Sequence, residues 1–514
     1  MNFLKTAQKP VKTEDVEFAL ETNNYFKFQD LLKYLPFLIV AIFPLFWQLG
    51  SIAVRQWDEA RLAVNAAEMI NNGNLLVTYF DSEPDMWNTK PPLQIWLIAL
   101  SIKVFGYTEF AVRFPAVLAV IATFVLLLWF SRKVFNSDWA GILSIFVLVT
   151  SQGYSGYHVA RNGDYDALLV FFSMAYLLSF FVYLEELKPK YLLACGIAIS
   201  LAVLTKGVAG LMAAPVMLLY VLYRRKLVYL IKQPVLYKAA AIVIALPAAY
   251  YLLREWQNPG YLQAVYDNEL GGRYLETLEG HLHPWDWYLQ DMDKYKFLPW
   301  LYVFPVSIAI LFLQPSTLIK RFAAYGTAFL VIFMFVISSA NTKLQWYDAP
   351  LYPMAALLIG VSIWLVSNVI IRYYNFKYQY IFYAAAMILI FWKPYHMLLK
   401  YHLQEKTHAP SWHWETFFGP ALKDLSKNHP EEKNVTILAR SDKYNASLRF
   451  YMLGYKKEGY LFTNVSEQNI MELRPNELVV TCNSQLRDDV ETHYEVERLY
   501  SEHTCRTFRI ISKK

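Results

Sequence analysis

Apolar runs separated by short polar turns dominate the first 400 residues of this chain. They fall at about 35–54, 115–130, 139–157, 167–184, 191–204, 209–223, 239–253, 298–313, 322–339, 350–371 and 380–392. A bilayer core about 30 Å thick takes about 20 apolar residues as a helix. Repeated runs near that length restrict the chain to a polytopic membrane protein, because backbone polar groups in lipid must be satisfied within each segment. Composition agrees: of 514 residues, 56% are hydrophobic and 18% are charged. That excludes a disordered chain, a disulfide-dense small scaffold and one ordinary soluble domain. No basic run marks a nucleic-acid surface, so the positive charges read as topology signals.

Charge is uneven. About 28% of the residues after Tyr401 are charged, against about 14% before. The organisation expected is a cytoplasmic N-terminal segment over 1–34, a membrane domain over 35–400, and a soluble domain over 401–514. No secretory signal is read, and the first apolar run is taken as a retained span. The short apolar stretch 92–105 contains Lys103 and is read as an interfacial helix. The stretch 191–223 is too long for one span and is broken at Thr205-Lys206-Gly207, so it is read as two.

The positive-inside rule then orients the chain. With the N-terminus in the cytoplasm, one set of turns carries Arg132-Lys133, Lys188 with Lys190, Arg224-Arg225-Lys226, Lys320-Arg321, and Arg372 with Lys377. Every basic cluster at a short turn falls inside. Outside lie the loop 55–91, the turn 156–166, the Lys206 turn, the loop 254–299, the turn 341–348 and the C-terminal domain. Polar residues gathered on one face point to a site there. A transporter calls instead for polar breaks at mid-membrane depth and internal repeats, and neither is evident.

The C-terminal domain reads as α/β. Strands are expected at 435–439, 459–463, 477–482 and 507–512, with a short helix at 446–453. Cys482 and Cys505 both lie in it, where an oxidising compartment permits a disulfide. Cys195 falls within a span and reads as packing.

The first external segment runs Trp57-Asp58-Glu59-Ala60-Arg61 and continues to Asn88-Thr89-Lys90-Pro91-Pro92. A carboxylate at a membrane surface is placed to take a proton from an incoming nucleophile. A lysine there is placed to hold a lipid phosphate as a point charge. The alternative is a helix cap with solvated charges, since Asp is a good N-cap.

The run from Asp58 to about Phe135 resembles the membrane glycosyltransferases of the aminoarabinose-transferase and protein-mannosyltransferase superfamily. The matching residues are Asp58-Glu59-Ala60-Arg61-Leu62-Ala63, Gly73-Asn74-Leu75-Leu76-Val77, Lys90-Pro91-Pro92-Leu93 through Trp96-Leu97, and Arg113-Phe114-Pro115. The resemblance continues to about residue 365. It takes in Ala160-Arg161 through Asp166, Thr205-Lys206-Gly207, Glu269 through Arg273, His281 through Tyr288, and Lys343 through Tyr347 to Pro350, Pro353 and Ala356. Departures are Leu270, where the family often has His, and Leu62, where Tyr is usual.

The resemblance implies an all-α GT-C bundle of about 11–13 transmembrane helices with a C-terminal α/β domain. It implies inverting transfer of a sugar from a polyprenyl (undecaprenyl) phosphate to a lipid A, glycan or protein acceptor. The expected place is the periplasmic face of a bacterial inner membrane. Asp58 takes the place of the catalytic carboxylate, Asp166 of the second acid, with Asp164 ranked below it. Glu59 is a further catalytic candidate, equally suited to cap the helix or pair with Arg61. Lys90, Arg273, Arg61, Tyr347 and Lys343 are the expected lipid-phosphate contacts, although Lys343 also suits a snorkelling role. Glu269 and His281 are further substrate contacts. His281 and His283 have poor ligand spacing, so no catalytic metal or other cofactor is expected. The expected partners are membrane lipids, the polyprenyl-linked sugar and the acceptor. The rival functions are a lipid-linked sugar flippase and a non-catalytic membrane scaffold.

Overall fold

The computed structural model describes residues 32–272, 282–407, 418–440, 444–502 and 505–514. The membrane domain contains helices α1 (Leu35–Phe46), α2 (Asp58–Asn72), α3 (Leu93–Phe105), α4 (Glu109–Phe135), α5 (Asp138–Val149), α6 (Asp166–Glu186), α7 (Pro189–Lys206), α8 (Pro215–Tyr223), α9 (Pro234–Gln257), α10 (Trp300–Leu313), α11 (Thr317–Ser339), α12 (Leu351–Tyr373) and α13 (Gln379–Thr407). Each of the eleven apolar runs forms a helix. Seven helices are long and apolar enough to cross a membrane, or eight if a pair bent by 107° at residues 297–299 counts as one span. Of the eleven, α1, α5, α8 and α10 are shorter than that. The stretch read as interfacial is the 13-residue α3.

Local chemistry sets the boundaries. The Thr108 side chain accepts from Ala111 N at 3.1 Å and starts α4. Asn136 ends it in the left-handed region, and Ser137 accepts from Ala140 N at 3.2 Å to start α5. These are ordinary cap solutions to orphaned helix-end groups. α7 stops at Lys206 because Gly207 follows with φ 58° and ψ −134°, a combination that favours glycine. Lys206 is therefore left at the mouth of the bundle.

Two ionic layers lie at opposite ends of α6. At one end Asp166 accepts both its hydrogen bonds from Lys206, at 2.7 and 2.8 Å. At the other, Glu185 pairs with Arg224 and Arg321, and Glu186 with Lys133 and Lys188. The turns that the charge pattern places inside thus converge on one another. The 21 residues of α6 separate the layers by about 30 Å at 1.5 Å per residue.

The C-terminal region holds α14 (Phe418–Asn428), α15 (Ala446–Lys457), α16 (Ser484–His493) and a five-stranded sheet. A two-residue hairpin, β1 (Tyr79–Phe80) with β2 (Glu83–Pro84), precedes it in the membrane domain. The sheet comprises β3 (Asn434–Leu438), β4 (Leu461–Val465), β5 (Leu478–Thr481), β6 (Tyr494–Glu502) and β7 (Cys505–Lys513), in the order β4-β3-β5-β7-β6. β3 is parallel to both β4 and β5, whereas β7 is antiparallel to β5 and β6. Cys482 and Cys505 are bonded. Four strands and the helix fall where the sequence places them. β6, α14 and α16 are additional.

The C-terminal domain is fastened to the segment entering α2. Ser447 Oγ donates to Val54 O at 2.8 Å, and Ser447 N donates to Gln56 Oε1 at 3.0 Å. Val54 N donates to the Tyr451 hydroxyl at 2.9 Å, and that hydroxyl donates to Glu109 at 2.6 Å. Leu62, Ala66 and Met69 of α2 share one apolar core with Leu422, Leu448 and Phe450. Burial on this scale contributes roughly 1.5–3 kcal/mol for each large side chain.

Candidate active site

Segments far apart in sequence meet in a cavity of about 160 Å³ at the mouth of the bundle. Its polar end carries Asp58, Lys90, Asp164, Asp166, Lys206 and Glu269. Its other wall is apolar, with Leu169, Val208, Met212, Phe333, Val336 and Ile337. Trp346 and Tyr347 close one side. All the polar members come from segments that the charge pattern places outside.

Asp58 is the first residue of α2 and is half-buried. Burial, reinforced by the Asp164 carboxylate, pushes its carboxyl above the usual carboxylate range, against the pull of His158, Lys90 and Lys206. Burial also opposes ionisation of Asp164. The His158 contact, the Lys206 charge and the Tyr165 N–H outweigh it, and Asp164 is held below its ordinary value. His158 Nδ1 lies 3.4 Å from Asp164 Oδ2, and its ring stacks on Trp346 at 3.5 Å between centroids. Burial lowers the imidazole, more strongly than Asp164 and Asp58 raise it. Asp58, His158 and Asp164 each offer a ligand atom within 4.8 Å of the others. That donor set is able to hold a divalent cation.

The surrounding elements fix these groups. Gly163 sits where a Cβ would lie 2.4 Å from Val112 Cγ1, so only glycine fits. Its N–H donates to Glu59 at 3.0 Å, which anchors the turn carrying Asp164. The Tyr261 hydroxyl donates to Thr89 O at 2.7 Å, and Asn88 Nδ2 donates to the Tyr165 hydroxyl at 3.0 Å. These bonds fix the two residues that precede Lys90. Lys296 donates to Gln345 O at 2.5 Å and lies 3.3 Å from Asp348, which braces the Trp346 turn.

Several sequence assignments change. Glu59 does not face the cavity and does not pair with Arg61. It is fully buried against Arg113, at 2.7 Å, and also accepts from Arg55 N at 2.9 Å. Burial opposes its charge, but the Arg113 guanidinium prevails and holds the Glu59 carboxyl below its usual range. Arg61 is not turned to a phosphate site. It grips Asp85 through two hydrogen bonds, at 2.8 and 2.6 Å, beneath Phe80 and Trp87. Lys343 Nζ donates to Ala340 O at 2.7 Å, and Lys343 is not among the cavity-lining residues, although its neighbours Thr342 and Leu344 are. Asp166 lines the cavity, but its carboxylate is gripped by Lys206, and it is Asp164 that has a ligand atom within 4.8 Å of those of Asp58 and His158. Lys90 sits 3.6 Å from Glu269. Arg273 and His281 lie outside the described residues.

His158, Asp164, Lys206 and Trp346 gain a prominence that the sequence reading did not give them. Lys206 carried a signal in its Thr-Lys-Gly turn. His158 and Trp346 carried none.

The model of the family described as "Dolichyl-phosphate-mannose-protein mannosyltransferase" matches residues 89–251. That interval contains Lys90, Asp164, Asp166 and Lys206. An undecaprenyl phosphate-α-4-amino-4-deoxy-L-arabinose arabinosyl transferase of Aeromonas salmonicida is 29% identical over 321 residues, 59% of this chain and 55% of the relative. The chain therefore spans little more than half the length of that relative. An uncharacterised Aquifex aeolicus protein is 25% identical over 63% of each chain. Among solved structures, ArnT from Cupriavidus metallidurans bound to undecaprenyl phosphate superposes with a TM-score of 0.67 at 16% identity, covering 93% of this chain and 98% of that one. The Archaeoglobus fulgidus oligosaccharyltransferase gives 0.52 at 12% identity, covering 95% and 75%. Over part of its sequence, and in fold over nearly all of its length, this multi-pass membrane chain is similar to GT-C membrane glycosyltransferases such as the aminoarabinose transferases and protein mannosyltransferases.

Proposed function

We propose that the chain transfers a sugar, with inversion, from a polyprenyl phosphate to an acceptor at the periplasmic face of a bacterial inner membrane. The observation that carries this reading is a single cavity with an apolar wall at one end and carboxylates with lysines at the other. A lipid-linked sugar has the same polarity. The isoprenoid lies along Leu169, Met212 and Phe333, and the phosphate meets Lys90. The Lys90–Glu269 contact at 3.6 Å is long for an ion pair, so a phosphate oxygen replaces Glu269 at little cost. Lys206, committed to Asp166, adds positive potential behind it.

In the transfer, an acceptor oxygen attacks the anomeric carbon from the face opposite the phosphate. The new C–O bond forms as the bond to the phosphate oxygen breaks, and the electron pair leaves with polyprenyl phosphate. A hydroxyl acceptor gives its proton to Asp58, whose raised affinity for protons suits a general base. An acceptor that is already a phosphate anion needs Asp58 only for orientation. Lys90 stabilises charge that grows on the leaving phosphate.

Purified protein in vesicles, supplied with polyprenyl-phosphate sugar, tests the reading by mass spectrometry of the released polyprenyl phosphate and the sugar-bearing product. Lys90→Ala is expected to raise the donor KM at least tenfold, in line with loss of a charged hydrogen bond worth about 1.5–3 kcal/mol. An unchanged donor KM and kcat in Lys90→Ala overturns the phosphate assignment. We further propose that the reaction proceeds without a divalent metal, with the lysines supplying the positive charge. Dialysis against EDTA is then expected to leave the rate within about twofold. A loss of more than tenfold, restored by Mn²⁺ or Mg²⁺, would instead assign Asp58, His158 and Asp164 to a cation.

A further inference from the structure

Residues 51–57, which lead into α2, form neither helix nor strand. Asp58 follows at once, as the first residue of α2. A reacting group misplaced by about 1 Å can cost about 10²-fold in rate. Buried irregular backbone must find its hydrogen-bond partners elsewhere. What supplies those partners therefore also sets where Asp58 stands.

Val54, at the centre of the segment, is fully buried. Both of its main-chain groups are bonded to the C-terminal domain. Its N–H donates to the Tyr451 hydroxyl at 2.9 Å, and its carbonyl accepts from Ser447 Oγ at 2.8 Å. Gln56, two residues before Asp58, accepts from Ser447 N at 3.0 Å. That donor is one of the orphan N–H groups at the start of α15, where Asn445 supplies no side-chain cap. The two domains complete each other here. The membrane domain caps α15, and α15 pairs the backbone that carries Asp58. From the membrane side, Arg113 takes the carbonyls of Ile52 and Ala53.

Tyr451 is itself pinned. It is 3% exposed, and its hydroxyl donates to Glu109, the first residue of α4, at 2.6 Å. Glu109 also pairs with Lys423 of α14. Gly419 packs against the ring, where a Cβ would lie 2.6 Å from the Tyr451 Cζ and hydroxyl. The hydroxyl is thus fixed between the Val54 amide and an acid of the membrane domain. Neither Tyr451 nor Ser447 lines the catalytic cavity.

We propose that Tyr451 and Ser447 are positioning residues for sugar transfer, through which the C-terminal domain holds Asp58 in line with the acceptor oxygen. The inference rests on the transferase reading with Asp58 as proton acceptor, and it gives the C-terminal domain a part in the reaction.

The test uses the full chain in vesicles. It measures single-turnover transfer per folded molecule, polyprenyl phosphate affinity and the unfolding midpoint. Tyr451→Phe removes only the hydroxyl and is expected to slow transfer about tenfold, as a displaced reacting group should. Ser447→Ala is expected to act in the same direction, and it carries the test if Tyr451→Phe yields no folded protein. Polyprenyl phosphate affinity should stay within about twofold in both, because neither residue touches the donor site. In an Asp58→Asn chain, either substitution should change the remaining rate by less than about twofold, since no carboxylate is left to place. A full further loss in that background assigns a general structural role and overturns the proposal. So does a loss that only follows the amount of folded protein, or an undiminished rate in both single variants. Failure of the transferase reading shows separately, as wild-type protein that releases no polyprenyl phosphate, and it overturns both.

Discussion

Asp58→Asn is expected to reduce sugar transfer by about 10²–10⁴-fold, the usual worth of a positioned proton acceptor. The substitution keeps the shape of the side chain and removes its basicity. Asp58 is half-buried at the start of α2, and among the described residues its carboxyl has no ion pair like that of Glu59 with Arg113. Expression, thermal unfolding and polyprenyl phosphate affinity should therefore stay near wild type. The measurement is single-turnover transfer in vesicles, with envelope mass spectrometry of a deletion strain complemented by each variant. Restoration of product by wild type but not by Asp58→Asn supports the assignment. Full restoration by the variant removes Asp58 from the chemistry and brings the flippase and scaffold readings forward.

Glu59→Ala, one residue away, is expected to fail differently. It leaves the Arg113 guanidinium buried with two of its five hydrogen bonds and its buried counter-charge gone, a loss of about 3–5 kcal/mol for a broken buried pair. Arg113 also donates to the carbonyls of Leu49, Ile52 and Ala53, so it ties the connection between α1 and α2 to α4. The Glu59 carboxylate additionally anchors Gly163 N. The expected result is low membrane yield and a lowered unfolding midpoint in detergent, with residual activity proportional to folded protein. Glu59→Gln, which can still accept hydrogen bonds, should lie between. A Glu59→Ala protein of normal stability and no activity would return Glu59 to the catalytic set.

The contrast between these neighbours marks the limit of reading the sequence. Successive helical residues point about 100° apart. Asp58 can therefore face the cavity while Glu59 faces the interior, and no motif states which face is which. Arg61 was legible as a residue of the external loop, but its partner Asp85 arrives from a hairpin 24 residues later. The gathering of Asp58, Lys90, Asp166, Glu269 and Tyr347 was legible, because charge placement at turns assigns each to one side of the membrane. His158 and Trp346 were not, since their roles arise from a ring contact between segments about 190 residues apart. Helix existence was visible in the apolar runs, and so was the break at Gly207, which the Thr205-Lys206-Gly207 turn announces. β6 escaped because it is an edge strand with Glu and Arg on its length, and charge on edges is a defence against further pairing rather than a strand signal.

The ionic layers at the two ends of α6 act together as a gauge block. Each layer cross-links neighbouring helices, so the distance between them cannot be changed by tilting one helix alone. A host bilayer thicker or thinner than this gauge must itself deform around the protein, at a fraction of a kcal/mol per Å. The headgroup plane beside the cavity is thereby drawn to the level of Asp166 and Lys206. In the proposed transfer, a diffusing lipid then reaches the mouth at the height where its phosphate is to be held.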